Sequence, residues 1–175
     1  MRARPPSFRA ICPPGRRSSA ADADIASRRR RWRRRAASIR SRYAPPAVFY
    51  LCHCATCQQQ SASAFGQSVK VRAADVTIHG ELAAFDADSA GGKPKLCEFC
   101  PKCGVRIAHG RRPGAETFNL KGGTFDDRGW LVPAGHIWTA SKQPFVAIAA
   151  DELQYPHQPP DYDALSAKWR AMIGV

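Results

Sequence analysis

The 175-residue sequence predicts a single, mainly β domain that ends in one helix and follows a disordered, arginine-rich leader. Three patterns support this fold class. Basic residues are concentrated in the first quarter of the chain, short apolar segments alternate with turn residues in the middle, and a helical period occurs near the end. Because 44% of the residues are hydrophobic, the chain can bury a core, which excludes global disorder.

The leader is distinguished by its charge. The formal net charge is +13, yet residues 1–45 contain 14 Arg, no Lys and two acidic residues, whereas the rest of the chain holds 13 basic and 12 acidic residues. Like charges at this density repel one another and are typical of disordered segments. We therefore predict a disordered basic leader over residues 1–44, with a fraying helix near 26–37, and a folded domain over residues 45–175. Such a leader is also typical of an organelle transit peptide, and a wrongly assigned start or reading frame would add non-native residues of the same kind.

The composition also argues against several partners and locations. No apolar run approaches the roughly 18 residues of a membrane span, and the arginine-rich start lacks the apolar segment of a secretory signal. A charge of +13 spread over the whole chain would suggest a nucleic-acid partner. Because the predicted domain is nearly neutral, we expect neither a nucleic acid nor a membrane as its partner. We expect a cytoplasmic protein, in which thiols stay reduced.

The domain's predicted elements are short strands followed by one helix. Glycine and proline residues recur at short spacing between the apolar segments, as is typical of an all-β body. The predicted strands cover residues 47–51, 64–71, 76–79, 83–86, 95–99, 105–109, 117–120 and 145–148. Asp161 can then cap a C-terminal helix. One face of that helix, at helical spacing, carries Tyr162, Leu165, Trp169 and either Met172 or Ile173.

Six of the seven cysteines fall into two clusters, and the first predicts a metal site. Cys52, Cys54 and Cys57 lie so close in sequence that three thiols on one turn can converge on a tetrahedral ion. This spacing, without a secretion signal, favours metal ligation over disulfides, and zinc suits thiolate ligands. Spacing alone leaves open whether the fourth corner is closed, as in a structural zinc, or open, as in a catalytic one.

The second cluster is Cys97-x-x-Cys100-Pro-Lys-Cys103-Gly104. Its C-P-x-C-G turn has the shape of a zinc knuckle, in which glycine lets backbone amides approach the sulfur. Two ligands do not complete a tetrahedral site, so a partner pair is needed. The clustered cysteines would alternatively form one four-thiolate site with spare thiols, or an iron–sulfur centre, which requires more assumptions.

Ordered motifs around both clusters resemble the glutathione-dependent formaldehyde-activating enzyme family, whose relatives include centromere protein V. The family pattern C-H-C-x-x-C-x-x-x-S-G-S-x-F matches residues 52–65, with Ala62 in place of the glycine. Further matches are F-C-P-K-C-G at 99–104, N-L-K-G-G-T at 119–124, G-H-I-W at 135–138 and the tail at 155–169. The resemblance extends over roughly residues 46–172.

The resemblance implies a β-tent fold, in which two zinc sites hold small packed sheets together. It assigns a catalytic zinc to Cys52, Cys54 and Cys57. It also assigns a structural zinc to Cys100 and Cys103 together with an N-terminal C-x-C-G pair.

That N-terminal pair is missing from this chain. The corresponding segment, residues 34–40, reads R-R-A-A-S-I-R, and Cys12 is the only cysteine upstream. Either the structural zinc is lost, or Cys97 completes a three-thiol site with the C-P-x-C pair.

The reaction implied by the resemblance is the formation or cleavage of a thiol–aldehyde adduct such as S-hydroxymethylglutathione. The chain would then be a carbon–sulfur lyase-type enzyme, with glutathione or another small thiol and a small aldehyde as partners. Lys121 is the first candidate for binding the carboxylates of glutathione, and Asn119 and Gln58 are candidates for its amides. Further cationic candidates are Arg106, Arg111 and Arg112.

The alternative is a non-enzymatic zinc scaffold, or a nucleic-acid or chromatin-associated module that uses the basic leader. The histidines do not separate these hypotheses. Alternation on the turn directs His53 away from the metal, so we interpret it as a supporting or exposed residue. His136 is interpreted as a packed strand residue.

Overall fold

The computed structural model describes the backbone of residues 38–41 and the whole of residues 46–174. These residues are mainly β, with a helix at the C-terminal side, as the sequence predicts. The helix predicted near residues 26–37, and most of the predicted leader, lie outside the described residues.

The described residues form ten strands, two α-helices and three short 3-10 segments. The strands are β1 (Ser38–Ser41), β2 (Val48–Cys52), β3 (Gly66–Arg72), β4 (Val76–His79), β5 (Ala83–Ala87), β6 (Lys95–Phe99), β7 (Arg106–His109), β8 (Thr117–Leu120), β9 (Gly135–Ile137) and β10 (Leu153–Tyr155). The helices are α1 (Ala55–Ser61) and α2 (Asp163–Ile173). The 3-10 segments are Ala73–Asp75, Gly122–Thr124 and Thr139–Ser141.

Eight of these strands form one sheet in the order β10-β9-β2-β3-β8-β7-β6-β5. All neighbours in it are antiparallel except β9, which runs parallel to both β2 and β10. The register pairs Cys52, at the end of β2, with Gly66 on one side and Ile137 on the other. The end of β2 is therefore held between two strands.

A separate two-stranded sheet pairs β1 with β4. Since β1 is Ser38–Ser41, the last part of the segment assigned to the leader is a strand. The boundary predicted at residue 44 thus lies beyond the first strand.

Helix α2 covers β2 and completes the core. Leu165 and Trp169 are fully buried, and the ring of Trp169 packs edge-on against Phe49 at a centroid distance of 6.0 Å. Burying an apolar side chain of this size contributes about 2–3 kcal/mol. The N-cap is Tyr162, which makes no side-chain cap bond, so the predicted cap is one residue too early; Asp161 accepts a hydrogen bond from the backbone N–H of Asp163 over 3.0 Å. Ile173 packs against the core, whereas Met172 is exposed.

One predicted strand is wrong, and four strands or helices are additional to the prediction. Residues 145–148 form a loop, because their backbone bonds locally: the N–H of Val146 donates to the carbonyl of Gln143, and the carbonyl of Val146 accepts from Lys142. The strands and helices absent from the prediction are α1, β1, β9 and β10. In the described part of the chain, no helix is long and apolar enough to cross a membrane.

Candidate functional site

Three cysteine thiols meet where β2 passes into α1. Cys52 is the last residue of β2, Cys54 caps the N-terminus of α1, and Cys57 lies in the first turn of α1. Their Sγ atoms all lie within 4.8 Å of one another, and all three residues are buried. Elsewhere in residues 46–174, no other three potential metal ligands converge in this way. This cluster can therefore hold a metal ion.

Helix α1 brings the third thiol back to the other two. Cys54 has extended backbone angles, and its Sγ accepts a hydrogen bond from the N–H of Cys57 over 3.4 Å, as an N-cap side chain does. The helix ends at Ala62, whose φ of 48° lies in the left-handed region. Glycine adopts this region without strain, and glycine is the residue that the family pattern has at this position.

Gly66 leaves the space that the cluster needs. A Cβ at this position would lie 3.0 Å from Cβ and 3.3 Å from Sγ of Cys57, and 3.5 Å from Nζ of Lys121. The absence of a side chain therefore lets β3 approach α1 closely. The Lys121 ammonium and the thiol of Cys57 thus both lie next to Gly66, and the ammonium is close enough to lower the pKa of that thiol.

Electrostatics favour a thiolate in the cluster. Hydrogen bonds from the thiols of Cys52 and Cys54 hold the pKa of Cys57 well below its usual range, and the positive charge of Lys121 acts in the same direction. Burial lowers the pKa of Lys121 to about 8, and the nearby Cys57 opposes that shift. Burial also lowers the pKa of His109 well below its usual value, so this imidazole is neutral at pH 7.

A cavity of about 340 Å³ opens onto the cluster. This volume lies within the range of small-molecule sites. Besides the three cysteines and His109, its lining includes a group of aromatic side chains and a group of basic ones. The aromatic group is Tyr50, Trp138 and Tyr162, and the basic group is Lys93, Lys95 and Arg112.

The two predicted amide-binding residues are not among those that line the cavity. The Gln58 side chain is used inside the fold: Nε2 donates to the carbonyls of His53 and Ser141 over 2.6 and 2.8 Å, and Oε1 accepts from Gln143. Asn119 accepts a hydrogen bond from the hydroxyl of Tyr50 over 3.1 Å. Both amides therefore hold neighbouring residues in position.

The predicted cations are distributed among different environments. Lys121 lies beside Cys57 without lining the cavity. Nη2 of Arg106 lies 2.8 Å from Sγ of Cys97, and Arg111 forms an ion pair with the buried Glu98. Arg112 is the cation of these four that lines the cavity, and it is paired with Asp86.

The second cysteine cluster does not converge as the first does. Cys97 and Cys100 are buried, whereas Cys103 is exposed. The predicted knuckle turn is present, since Gly104 has a φ of +71° and its N–H donates to the carbonyl of Cys100 over 2.9 Å. The Cys97 thiol donates a hydrogen bond to the carbonyl of Lys95 over 3.1 Å and accepts one from Arg106.

A hydrogen-bonded chain behind the thiols was missed by sequence reasoning. His53 is fully buried, and its Nε2 lies 2.8 Å from Nδ1 of His136, whose Nε2 lies 2.7 Å from Oε2 of Glu152. The two rings stack with centroids 5.1 Å apart. The histidine in each of the motifs C-H-C and G-H-I-W was the available signal, but nothing local indicated that the two side chains meet.

Comparison with known proteins agrees with these features. The sequence profile described as glutathione-dependent formaldehyde-activating enzyme matches residues 36–141, which is more than half of the chain. No curated protein is similar enough in sequence to match. A crystal structure of a Rhodobacter sphaeroides protein aligns with a TM-score of 0.39 and 17% identity, covering 51% of this chain and 80% of that one. The match to the family profile, rather than the likeness to this structure, shows which family the chain belongs to.

Proposed function

This chain belongs to the glutathione-dependent formaldehyde-activating enzyme family, and we propose that it forms or cleaves the carbon–sulfur bond between a small thiol, such as glutathione, and a small aldehyde. The observation that carries the proposal is the cluster of three buried thiols at a cavity of about 340 Å³. A cluster that served only to hold the fold together would need no such cavity. Because Cys52, Cys54 and Cys57 must stay reduced to bind a metal ion, we assign the protein to the cytoplasm.

The donor set fits a zinc ion held by Cys52, Cys54 and Cys57. Zinc–thiolate bonds of about 2.3 Å in a tetrahedron put sulfur atoms about 3.8 Å apart. The three Sγ atoms here lie within 4.8 Å of one another, so small side-chain adjustments suffice. Three protein ligands are also the number that catalytic zinc sites use. When bound, the ion would act as a Lewis acid that favours the deprotonated form of an additional thiol.

The chain's own charges support the same thiol chemistry. A free thiol with a pKa of about 8.5 is only roughly 3% thiolate at pH 7. Arg106 and Lys121 carry positive charge near the cluster, as their electrostatic coupling to Cys57 indicates. These positive charges stabilise a thiolate, and they so increase the fraction of a thiol that is deprotonated and reactive at pH 7.

The proposed step needs no reagent other than the thiol and the aldehyde. The substrate sulfur forms a bond to the aldehyde carbon, the carbonyl oxygen becomes a hydroxyl, and the proton that it takes replaces the one lost from the thiol. Cleavage is the reverse. By holding thiol and aldehyde together, the cavity would make this a step between neighbours, which is the advantage of proximity.

Two measurements test the proposal. The first replaces zinc by cobalt and follows the sulfur-to-cobalt absorption during titration with glutathione. We expect the intensity to rise by about one third as a fourth thiolate joins three. S-methylglutathione, which has no thiol, is the matched control and should leave the band unchanged.

The second measurement is the rate of exchange between formaldehyde and S-hydroxymethylglutathione, followed by NMR. The zinc-loaded protein should accelerate this exchange, and the Cys57→Ser variant should not. An unchanged rate with the zinc-loaded protein would reject the enzyme and leave the non-enzymatic zinc scaffold.

A further inference from the structure

We propose that Lys93 and Lys95 bind a carboxylate of the thiol substrate, so that the site selects thiols that carry an acid group. The inference rests on the proposed function and adds a determinant of substrate choice. It assigns a binding role to two residues that belong to none of the motifs on which the family resemblance rests.

Both lysines lie on the wall of the cavity that the three thiols share. Lys95 is the first residue of β6, and Lys93 precedes it by two positions. Lys93 lies in the bend before Pro94, and both side chains line one cavity. Lys93 is exposed and Lys95 is half-buried, so an entering ligand can reach both ammonium groups.

Neither ammonium group has an acidic partner within 4.0 Å among the described residues. The nearby arginines differ in this respect, because Arg111 is paired with Glu98 and Arg112 with Asp86. Two unpaired positive charges at a cavity wall are the groups most able to receive an anionic ligand.

The aromatic side of the cavity has few polar groups to offer. The hydroxyl of Tyr162 accepts a hydrogen bond from Gln158 over 2.8 Å and donates to that of Tyr50 over 3.4 Å. The indole N–H of Trp138 donates to Oε1 of Gln158 over 3.4 Å. These groups bond to one another, so the charged end of a ligand has the lysines as its partners.

The loop that carries Lys93 is held in place relative to the thiols. The hydroxyl of Ser89 donates to the carbonyl of Lys93 over 2.6 Å, and the N–H of Gly92 donates to the carbonyl of Ser89 over 2.9 Å. Thr56 of α1 donates to the carbonyl of Asp88 over 3.0 Å. Because α1 also carries Cys57, the lysines and the thiols form one pre-organised unit, which lowers the entropic cost of binding.

The test uses S-methylglutathione, a thioether with both carboxylates but without a reactive thiol. Its dissociation constant is measured by calorimetry for the wild-type protein and for Lys93→Gln, Lys95→Gln and the double variant. Each partly exposed charge should account for about a fivefold change in affinity, and the double variant for roughly 20-fold. The diester of S-methylglutathione should bind the wild type weakly and should not distinguish it from the double variant.

Lys102→Gln is the matched control, since this exposed lysine does not line the cavity. It removes the same charge and should leave binding unchanged. Equal affinity of the wild type and the double variant for S-methylglutathione would overturn the inference, and so would a diester that binds as tightly as the diacid. Because the ligand cannot react, lysine-dependent binding without acceleration of adduct exchange rejects the proposed function alone. Exchange activity with lysine-independent binding rejects this inference alone.

Discussion

His53 and His136 are joined through their rings, with Nε2 of the first 2.8 Å from Nδ1 of the second and both side chains buried. His53 lies between Cys52 and Cys54, and its backbone N–H also donates to the carbonyl of Ile137 over 2.9 Å. The turn that carries the thiols is therefore fixed to β9 by a ring contact and a backbone contact. Its geometry depends on a strand that is distant in sequence.

The first prediction concerns this joint. His136→Ala removes the partner of a fully buried imidazole and leaves a void, so it should lower the free energy of unfolding by about 2–4 kcal/mol. By loosening the thiol turn it should also weaken metal binding about tenfold. Urea unfolding and competitive metal titration measure the two effects. His79→Ala, at an exposed position on β4, is the control and should change neither value. Metal affinity that survives His136→Ala would mean that the ring pair supports only the fold.

The second prediction separates the two cysteine clusters. Cys52→Ser should reduce the zinc content of the purified protein, because it removes one of three converging sulfurs. Cys97→Ser is the matched control: its hydroxyl can still accept the hydrogen bond from Arg106, and its zinc content should equal that of the wild type. Elemental analysis gives the stoichiometry. A loss of zinc in Cys97→Ser would instead indicate that this residue supports a metal site.

The third prediction concerns the end of α1. Ala62 has a φ of 48°, where a Cβ is strained, so Ala62→Gly should raise the free energy of unfolding by about 0.5–1 kcal/mol. The same substitution at Ala55, an exposed residue at the start of the helix, should lower it by a similar amount. Opposite signs in thermal unfolding are the expected result. Equal destabilisation by both substitutions would show that the left-handed conformation carries no cost.

The fourth prediction concerns the contact between β9 and its neighbours. A Cβ on Gly135 would lie 2.4 Å from the carbonyl oxygen of Leu153 and 2.8 Å from Cδ2 of Leu165. Gly135→Ala must therefore separate β9 from β10 or from α2, at a cost of about 3 kcal/mol or more. Gly129→Ala is the control, because the nearest atom there is 3.6 Å away. Denaturant unfolding of both variants compares the two, and similar stability would contradict the close approach.

The strands predicted most accurately are those whose signal is local. Residues 76–79, 95–99 and 117–120 are strands at their predicted bounds, because apolar alternation and adjacent turn residues mark both ends. β9 and β10 have three residues each, too few for a period to be recognised. The strand predicted at 145–148 has the right composition, but its backbone groups bond within the loop.

The residues of the candidate site likewise differ in how well the sequence predicts them. Cys52, Cys54 and Cys57 converge within one turn, so their spacing alone indicates that they meet. Gln58 and Asn119 have suitable amide groups, yet the fold uses both internally, which composition does not reveal. Lys93 and Lys95 join the thiols only through the arrangement of the β5–β6 loop over α1, and no residue pattern near them encodes it.

The joint between His53 and His136 also sets an order of events during synthesis. The two residues are 83 positions apart, so at about 5–20 residues per second the thiol turn emerges roughly 4–17 s before the strand that buries it. During that interval the three thiols are exposed to solvent, but they already lie on one short turn. A metal ion captured by the nascent chain would therefore bind before the sheet closes, and it would protect the sulfur atoms from oxidation until β9 arrives.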